Sequence, residues 1–317
     1  MSTDRAVHTT HSRPLVRQAL NGATMGTRYS AVFYAPEDTN IPALAASLFE
    51  AVDQVDRQMS TWKPLSDLNR LNAAPVGAWV KLPRDLMRVL ATSLEIGRIT
   101  KGAFDIGVGD LVAAWGFGAP GLWPDRAGVA NRPRPVTTST LLLNEGAGLA
   151  CKTAALCLDL SGIAKGFGVD ELARVMDAFA IPAWLVGIDG EMRAKAVKPN
   201  GEPWAVAHER PDRSVREAMG VIELHDMAVA TSGNYRHWIE IDGRIVSHTM
   251  NAARSAPLDN AIASVTVMAP TCMEADAFAT AFMVLGVDES MRMAKARGIE
   301  VIFVLNDGSV VLAEAPD

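Results

Sequence analysis

From Trp184 onward the chain is a succession of short apolar runs separated by turn signals, and this succession restricts the folds open to it. Trp238–Ile241 and Ile245–Ser247 flank Asp242-Gly243; Ile299–Leu305 and Val310–Ala313 flank Asn306-Asp-Gly308. Turns this short join neighbouring antiparallel strands. Further strand-like runs lie at Trp184–Ile188, Trp204–Ala207, Val221–Leu224, Met227–Ala230 and Ile262–Met268. Ahead of them, Asn40–Met59 carries Ile41, Leu44, Leu48, Val52, Val55 and Met59 on one helical stripe, with Pro42 in the first turn. Ser66 caps a short helix over Ser66–Asn72, and Arg84–Thr100 repeats the long helical pattern. Helices and strands come in runs instead of alternating strictly. That predicts an α+β fold, a largely antiparallel sheet flanked by helices. Residues 1–22 are polar and aperiodic and read as a disordered lead-in, with a single domain over 23–317.

The sequence also excludes several classes. A net charge of −6 without a long basic run argues against nucleic-acid binding. Three cysteines, Cys151, Cys157 and Cys272, form neither a disulfide framework nor a zinc spacing. No uninterrupted apolar run is long enough to span a membrane. The polar start has no apolar signal segment, so the expected location of the chain as written is the cytoplasm.

Leu158–Asp170 reads Leu-Asp-Leu-Ser-Gly-Ile-Ala-Lys-Gly-Phe-Gly-Val-Asp. An apolar strand is expected over Ala154–Leu160 and a helix over Val169–Phe179, with Gly162, Gly166, Gly168 and Lys165 in the turn between them. Glycine lets backbone approach a ligand, helix-start amides favour anions, and a lysine adds a point charge for a phosphate. The same composition also describes an ordinary glycine turn with a surface lysine.

Other candidates stand at defined spacings. Asp276 and Thr280 are four apart on a predicted helix and share a face, as a packed pair or as oxygen ligands of a hard cation. His248 follows a strand and is either a solvated loop residue or a base titrating near neutral pH. Trp62 is core or a stacking platform, and Asp105 is a turn residue or a ligand contact.

Taken in order, Met25-Gly-Thr, Ser60, Ser66, Asn72, Gly102-Ala-Phe-Asp105, Trp115-Gly-Phe-Gly118, Asp159-Leu-Ser-Gly-Ile-Ala-Lys-Gly166, Ala230-Thr-Ser-Gly-Asn-Tyr235, His248, Asp276 and Thr280 resemble the ApbE family of FAD:protein FMN transferases. The resemblance implies an ApbE-like α+β domain that uses FAD as substrate and Mg²⁺ as cofactor. It implies transfer of FMN from FAD to a Ser or Thr hydroxyl of a target flavoprotein, with release of AMP. By position, Met25, Trp62, Ala103, Phe104, Asp105, Ser161, Lys165 and Met250 fall where the family contacts the cofactor. The backbone oxygen of Ala164, with Asp276 and Thr280, falls on the metal position, and His248 on the catalytic histidine.

The chain departs from the family pattern at three places. Ser247 precedes His248 where a second histidine is usual, Asn251-Ala-Ala-Arg-Ser255 replaces Asp-Pro-Arg-Thr-Gly, and Asp189-Gly190-Glu191 replaces a paired glycine before an acid. Asn251 is a neutral amide and cannot stabilise an imidazolium as a carboxylate does. Two readings follow: a transferase slowed by this loop, or a flavin carrier or FAD pyrophosphatase of the same fold.

Overall fold

A computed structural model of the protein describes residues 14–119, 128–129, 134–236, 238–241 and 243–313. The chain opens with the hairpin β1 (Leu15–Thr24) and β2 (Thr27–Pro36), followed by α1 (Ile41–Met59), α2 (Asp67–Ala73), β3 (Trp79–Lys81) and α3 (Arg84–Ile99). Short helices α4 (Gly109–Ala114) and α5 (Thr137–Thr140) lead to β4 (Leu141–Asn144), β5 (Leu149–Lys152) and α6 (Ala164–Ala178). Then come β6 (Ala183–Ile188), β7 (Glu191–Lys195), β8 (Trp204–Glu209), β9 (Ala218–Leu224), β10 (Ala228–Gly233), β11 (Trp238–Ile241) and β12 (Arg244–Ser247). The two-residue strands β13 (Met250–Asn251) and β14 (Ala256–Pro257), then β15 (Ile262–Ala269), α7 (Cys272–Leu285), α8 (Val287–Arg297), β16 (Glu300–Leu305) and β17 (Val310–Ala313) complete it.

The main sheet has the order β1-β2-β6-β7-β10-β15-β16-β17 and its pairings are antiparallel, as the runs of strands predict. All six residues of β6 are buried because the sheet is covered on both faces. Trp184, Val186 and Ile188 pack with Leu44, Leu48 and Val52 of α1 and Leu172 and Met176 of α6. Leu185 faces the other way, toward Trp204, Ile222 and Leu224 of the β8–β9 ribbon. Among the described residues no helix is long and apolar enough to cross a membrane.

Four expectations need correction. The lead-in assigned to residues 1–22 contains β1, paired with β2 along its length; residues 1–13 lie outside the described part. Apart from Thr24, β1 buries no residue, so it has no hydrophobic alternation to betray it. The Ala154–Leu160 stretch is not a strand. Its backbone bonds go elsewhere: Leu158 N donates to Asn72 Oδ1 at 2.7 Å, Asn72 Nδ2 to Leu158 O at 2.9 Å, and Asp159 N to Ile106 O at 2.8 Å. The polar loop placed over Thr231–Arg236 begins later, since β10 runs through Gly233.

The helix expected from Val169 begins five residues earlier, at Ala164, and takes in two of the glycines of the supposed turn. Neither Gly166 nor Gly168 has a positive φ. A Cβ on Gly166 would lie 2.3 Å from the Cys272 carbonyl oxygen and 2.8 Å from Asp276 Cβ. The glycine therefore serves the close crossing of α6 and α7. The start of α7 is satisfied from α6 as well. Cys272 N and Met273 N each donate to the carboxylate of Asp170 at 3.0 Å, and Glu274 N donates to the Thr271 hydroxyl at 3.3 Å. These are the orphan amides of a helix N-terminus.

Candidate active site

The α6/α7 crossing collects five of the residues singled out from the sequence. Asp159 Oδ1 accepts from the amide of Ser161 at 2.8 Å and from its hydroxyl, an Asx-type turn that delivers the chain into α6. Ala164 is the first residue of α6 and Lys165 the second. Asp276, on α7, accepts from Gly166 N at 3.0 Å and is 4 % exposed. Thr280, one turn further, shares a hydrogen bond of 3.1 Å with Ser232 of β10. A Cβ on Gly162 would come within 3.0 Å of Thr280 Oγ1, so the turn backbone lies against the Asp276–Thr280 face.

Lys165 Nζ lies 2.7 Å from Glu191 Oε1 and 3.9 Å from Asp189 Oδ2. Burial works against its charge, but Glu191, Asp276 and Asp189 outweigh that and hold the ammonium above its ordinary value. Asp276 is pushed up to about 7, first by burial and then by the negative charge of Glu191. Glu191 is 2 % exposed, and its second oxygen, Oε2, is buried without a hydrogen-bond partner.

Sequence reading passed over Glu191, yet a signal was present. Glu191, Arg193 and Lys195 alternate along β7 and so project from one face. They meet charges on α6: Lys165 at 2.7 Å, Asp170 at 2.6 Å and Asp177 at 2.7 Å respectively. An acid-x-base-x-base strand opposite a helix with complementary charges is legible once the two are known to be neighbours.

The remaining candidates are distributed around this centre. Met25 and Gly26 make the β1–β2 turn with φ of 45° and 72°, and the Met25 methyl would meet a Cβ on Gly168 at 3.1 Å. On its other side Met25 borders a hollow of about 430 Å³ between the hairpin and Phe49, Asp53 and Asp56 of α1. Trp62 is 60 % exposed, in a loop fixed by Asn69 Nδ2, which donates to Thr61 O at 3.0 Å and Lys63 O at 2.9 Å. Lys63 ties that loop to Asp56, on the hollow, at 2.7 Å. Ala103 follows the end of α3, its amide donating to Thr100 O at 3.1 Å. Phe104 is buried in the main core with Ile106, so its ring packs the fold, and its amide donates to the Thr100 hydroxyl at 3.1 Å. Asp105 Oδ1 accepts from Gly107 N at 2.8 Å, the behaviour of a turn residue.

His248 and Met250 form a second group. The His248 ring stands edge-on to Phe117 with centroids 6.3 Å apart, and Met250 is buried with Leu111 and Ala114 of α4. Asn251 Oδ1 accepts from Arg254 N at 3.1 Å and caps the 3-10 turn Ala252–Arg254. The amide that replaces the family's aspartate is thus engaged by its own loop.

A hard cation fits the α6/α7 crossing. Two buried carboxylates, Glu191 and Asp276, face one lysine, and an orphaned carboxylate oxygen remains. The Ala164 carbonyl, Asp276 carboxylate and Thr280 hydroxyl offer oxygen donors alone, the set that suits Mg²⁺. Among the described residues no group of three or more His, Cys, Asp or Glu side chains could hold a metal.

The profile described as "ApbE family" matches residues 25–303. A Vibrio cholerae protein named FAD:protein FMN transferase is 35% identical over 297 residues, covering 92% of this chain and 89% of its own length. A Haemophilus influenzae protein of the same name is 34% identical, covering 90% and 86%. The solved structure "Flavin Transferase ApbE from Vibrio cholerae" superposes with a TM-score of 0.81 at 31% identity, covering 95% of this chain and 98% of that one. The chain belongs to the ApbE family.

Proposed function

We propose that the protein is an FAD:protein FMN transferase: it moves FMN from FAD to a Ser or Thr hydroxyl of a target flavoprotein and releases AMP. The observation that carries this reading is the buried Lys165–Glu191–Asp276 cluster at the start of α6, in a chain similar to proteins of that name. Lys165 would hold the diphosphate oxygens. Met25 lines the hollow beside α1, where a flat ring could stack, and the exposed indole of Trp62 belongs to the loop that Lys63 ties to Asp56. Ser161, Ala103, Phe104, Asp105 and Met250 would line the cofactor path, the first through its hydroxyl.

The Ala164 carbonyl, Asp276 and Thr280 would hold Mg²⁺, which when bound neutralises the diphosphate and polarises the phosphorus under attack. In the reaction the acceptor oxygen forms a bond to the FMN phosphorus as the bond from that phosphorus to the bridging oxygen breaks. AMP departs with that oxygen. His248 takes the proton of the incoming hydroxyl. Asn251 Oδ1 accepts from Arg254 N, so the neutral amide at the family's aspartate position is engaged within its own loop, and a transferase slowed by this loop is the rate expected.

The test is incubation with FAD, Mg²⁺ and candidate flavoproteins, read by mass for an FMN adduct and by chromatography for AMP. His248→Ala should lower the transfer rate by roughly 10²–10⁴. FAD and Mg²⁺ bound with neither adduct nor AMP formed would favour a flavin carrier; AMP without adduct would favour a pyrophosphatase.

A further inference from the structure

The charges around Lys165 do not balance. Lys165 meets Glu191 at 2.7 Å and Asp189 at 3.9 Å. Asp189 is itself held by Arg236 Nη1 at 3.1 Å, and Arg236 reaches on to Glu209. Asp276 lies within the field of both Lys165 and Glu191. Arg216 also reaches Glu209, at 3.7 Å, so with every group ionised four carboxylates face three cations, an excess of one negative charge. The lysine that should receive a phosphate is already neutralised by Glu191, whose other oxygen is buried and unpartnered. Such a pocket repels a diphosphate. Asp189 sharpens the point: it occupies a left-handed position, φ 53°, favourable to glycine, and brings a further carboxylate to the lysine.

We propose that Glu191 makes nucleotide binding conditional on a cation: by cancelling Lys165 it leaves the pocket net negative, so the FAD diphosphate enters only with, or after, a divalent ion. The inference rests on the reading of this pocket as the FAD site. Glu191 is here a positioning residue, acting through Lys165 and through its charge. The consequence is an order of binding, in which free nucleotide does not occupy the enzyme when the cation is scarce.

Titration calorimetry with FAD, in the presence of a chelator and then of Mg²⁺, tests this on the full chain. Glu191→Gln keeps size and shape and removes one charge. It should bind FAD without the cation on the order of tenfold more tightly than wild type, as a unit charge a few ångströms away requires. The gain conferred by Mg²⁺ should shrink correspondingly. Asp189→Asn, in a partly exposed turn, should move the same way by a smaller factor and serves if Glu191→Gln fails to fold. Riboflavin, which has no phosphate, should bind all three proteins equally. Cation-free FAD binding no tighter in either variant, or an equal gain for riboflavin, overturns the proposal while leaving the FAD site standing. Wild-type protein that binds no FAD even with Mg²⁺ overturns the reading of the pocket, and this inference with it.

Discussion

Asp170 lies in the middle of α6, but its carboxylate serves α7. It accepts the first two amides of that helix, at 3.0 Å each, and pairs with Arg193 at 2.6 Å. Asp170→Ala would orphan both amides in a buried setting, at about 1–3 kcal/mol apiece. Arg193 is 29% exposed and can turn to water, so its share of the loss is small. Alanine returns up to about 0.7 kcal/mol of helix propensity. The expected net loss is therefore about 2–5 kcal/mol, a large part of the 5–15 kcal/mol typical of a folded domain. Asp170→Asn keeps one acceptor and turns a donor toward the other amide, so about half that loss is expected. Urea unfolding followed by circular dichroism measures both, with the midpoint falling and the slope unchanged. Because α7 carries Asp276 about one turn further on, the rise in melting temperature produced by Mg²⁺ should also diminish in Asp170→Asn. An Asp170→Ala protein within about 1 kcal/mol of wild type would show that the α7 amides are satisfied without the carboxylate, and the reasoning would fall.

Two further outcomes are expected. Gly166→Ala should destabilise the protein and weaken FAD binding, since overpacking costs about 1–3 kcal/mol and the helical gain of alanine over glycine, about 1 kcal/mol, offsets only part of it; calorimetry showing wild-type affinity in an equally stable variant would contradict this. Asp276, pushed up to about 7 in the folded protein against an ordinary carboxylate value when unfolded, binds its proton more tightly in the native state. Its contribution to stability is therefore complete below the unfolded value and is lost as pH rises through about 7. Thermal melts without cation should fall across that window, and added Mg²⁺ should raise the melting temperature more at pH 8 than at pH 5; the opposite order would mean that Asp276 is not the ion's ligand.

The long helices were legible because α1 and α3 each bury one stripe: Leu44, Leu48, Val52 and Val55 in the first, Leu86, Leu90 and Leu94 in the second. The Ser66 cap was legible because its oxygen meets Asn69 N at 3.1 Å, a purely local bond. What escaped depends on neighbours far along the chain. Gly166 and Gly168 read as turn formers because glycine is a poor helix residue, whereas here the missing Cβ admits Cys272 and Asp276 in one case and Ile188 and Met25 in the other. Glu191 is legible only as the acid after Asp189-Gly190; its meaning lies in Lys165, 26 residues upstream. The apolar Ala154–Leu160 segment reads as a strand because nothing local shows that Asn72, 86 residues from Leu158, replaces a ladder partner. Phe104 was legible as part of a motif, but its burial was not.

Those separations also govern when the site can form. The bond from Gly166 to Asp276 closes a loop of 110 residues, and those from α7 to Asp170 close loops of 102 and 103. Contacts this distant demand loop-closure entropy before they return any stabilisation, and they slow folding. During synthesis the first hairpin, α1 and β6 can emerge and pack while α7 is still untranslated. Neither a nucleotide nor a cation can template that early intermediate through Asp276 or Thr280, which have not yet been made. Ligand binding to this protein is accordingly a late event in its biogenesis, and a measure of whether the whole chain has closed.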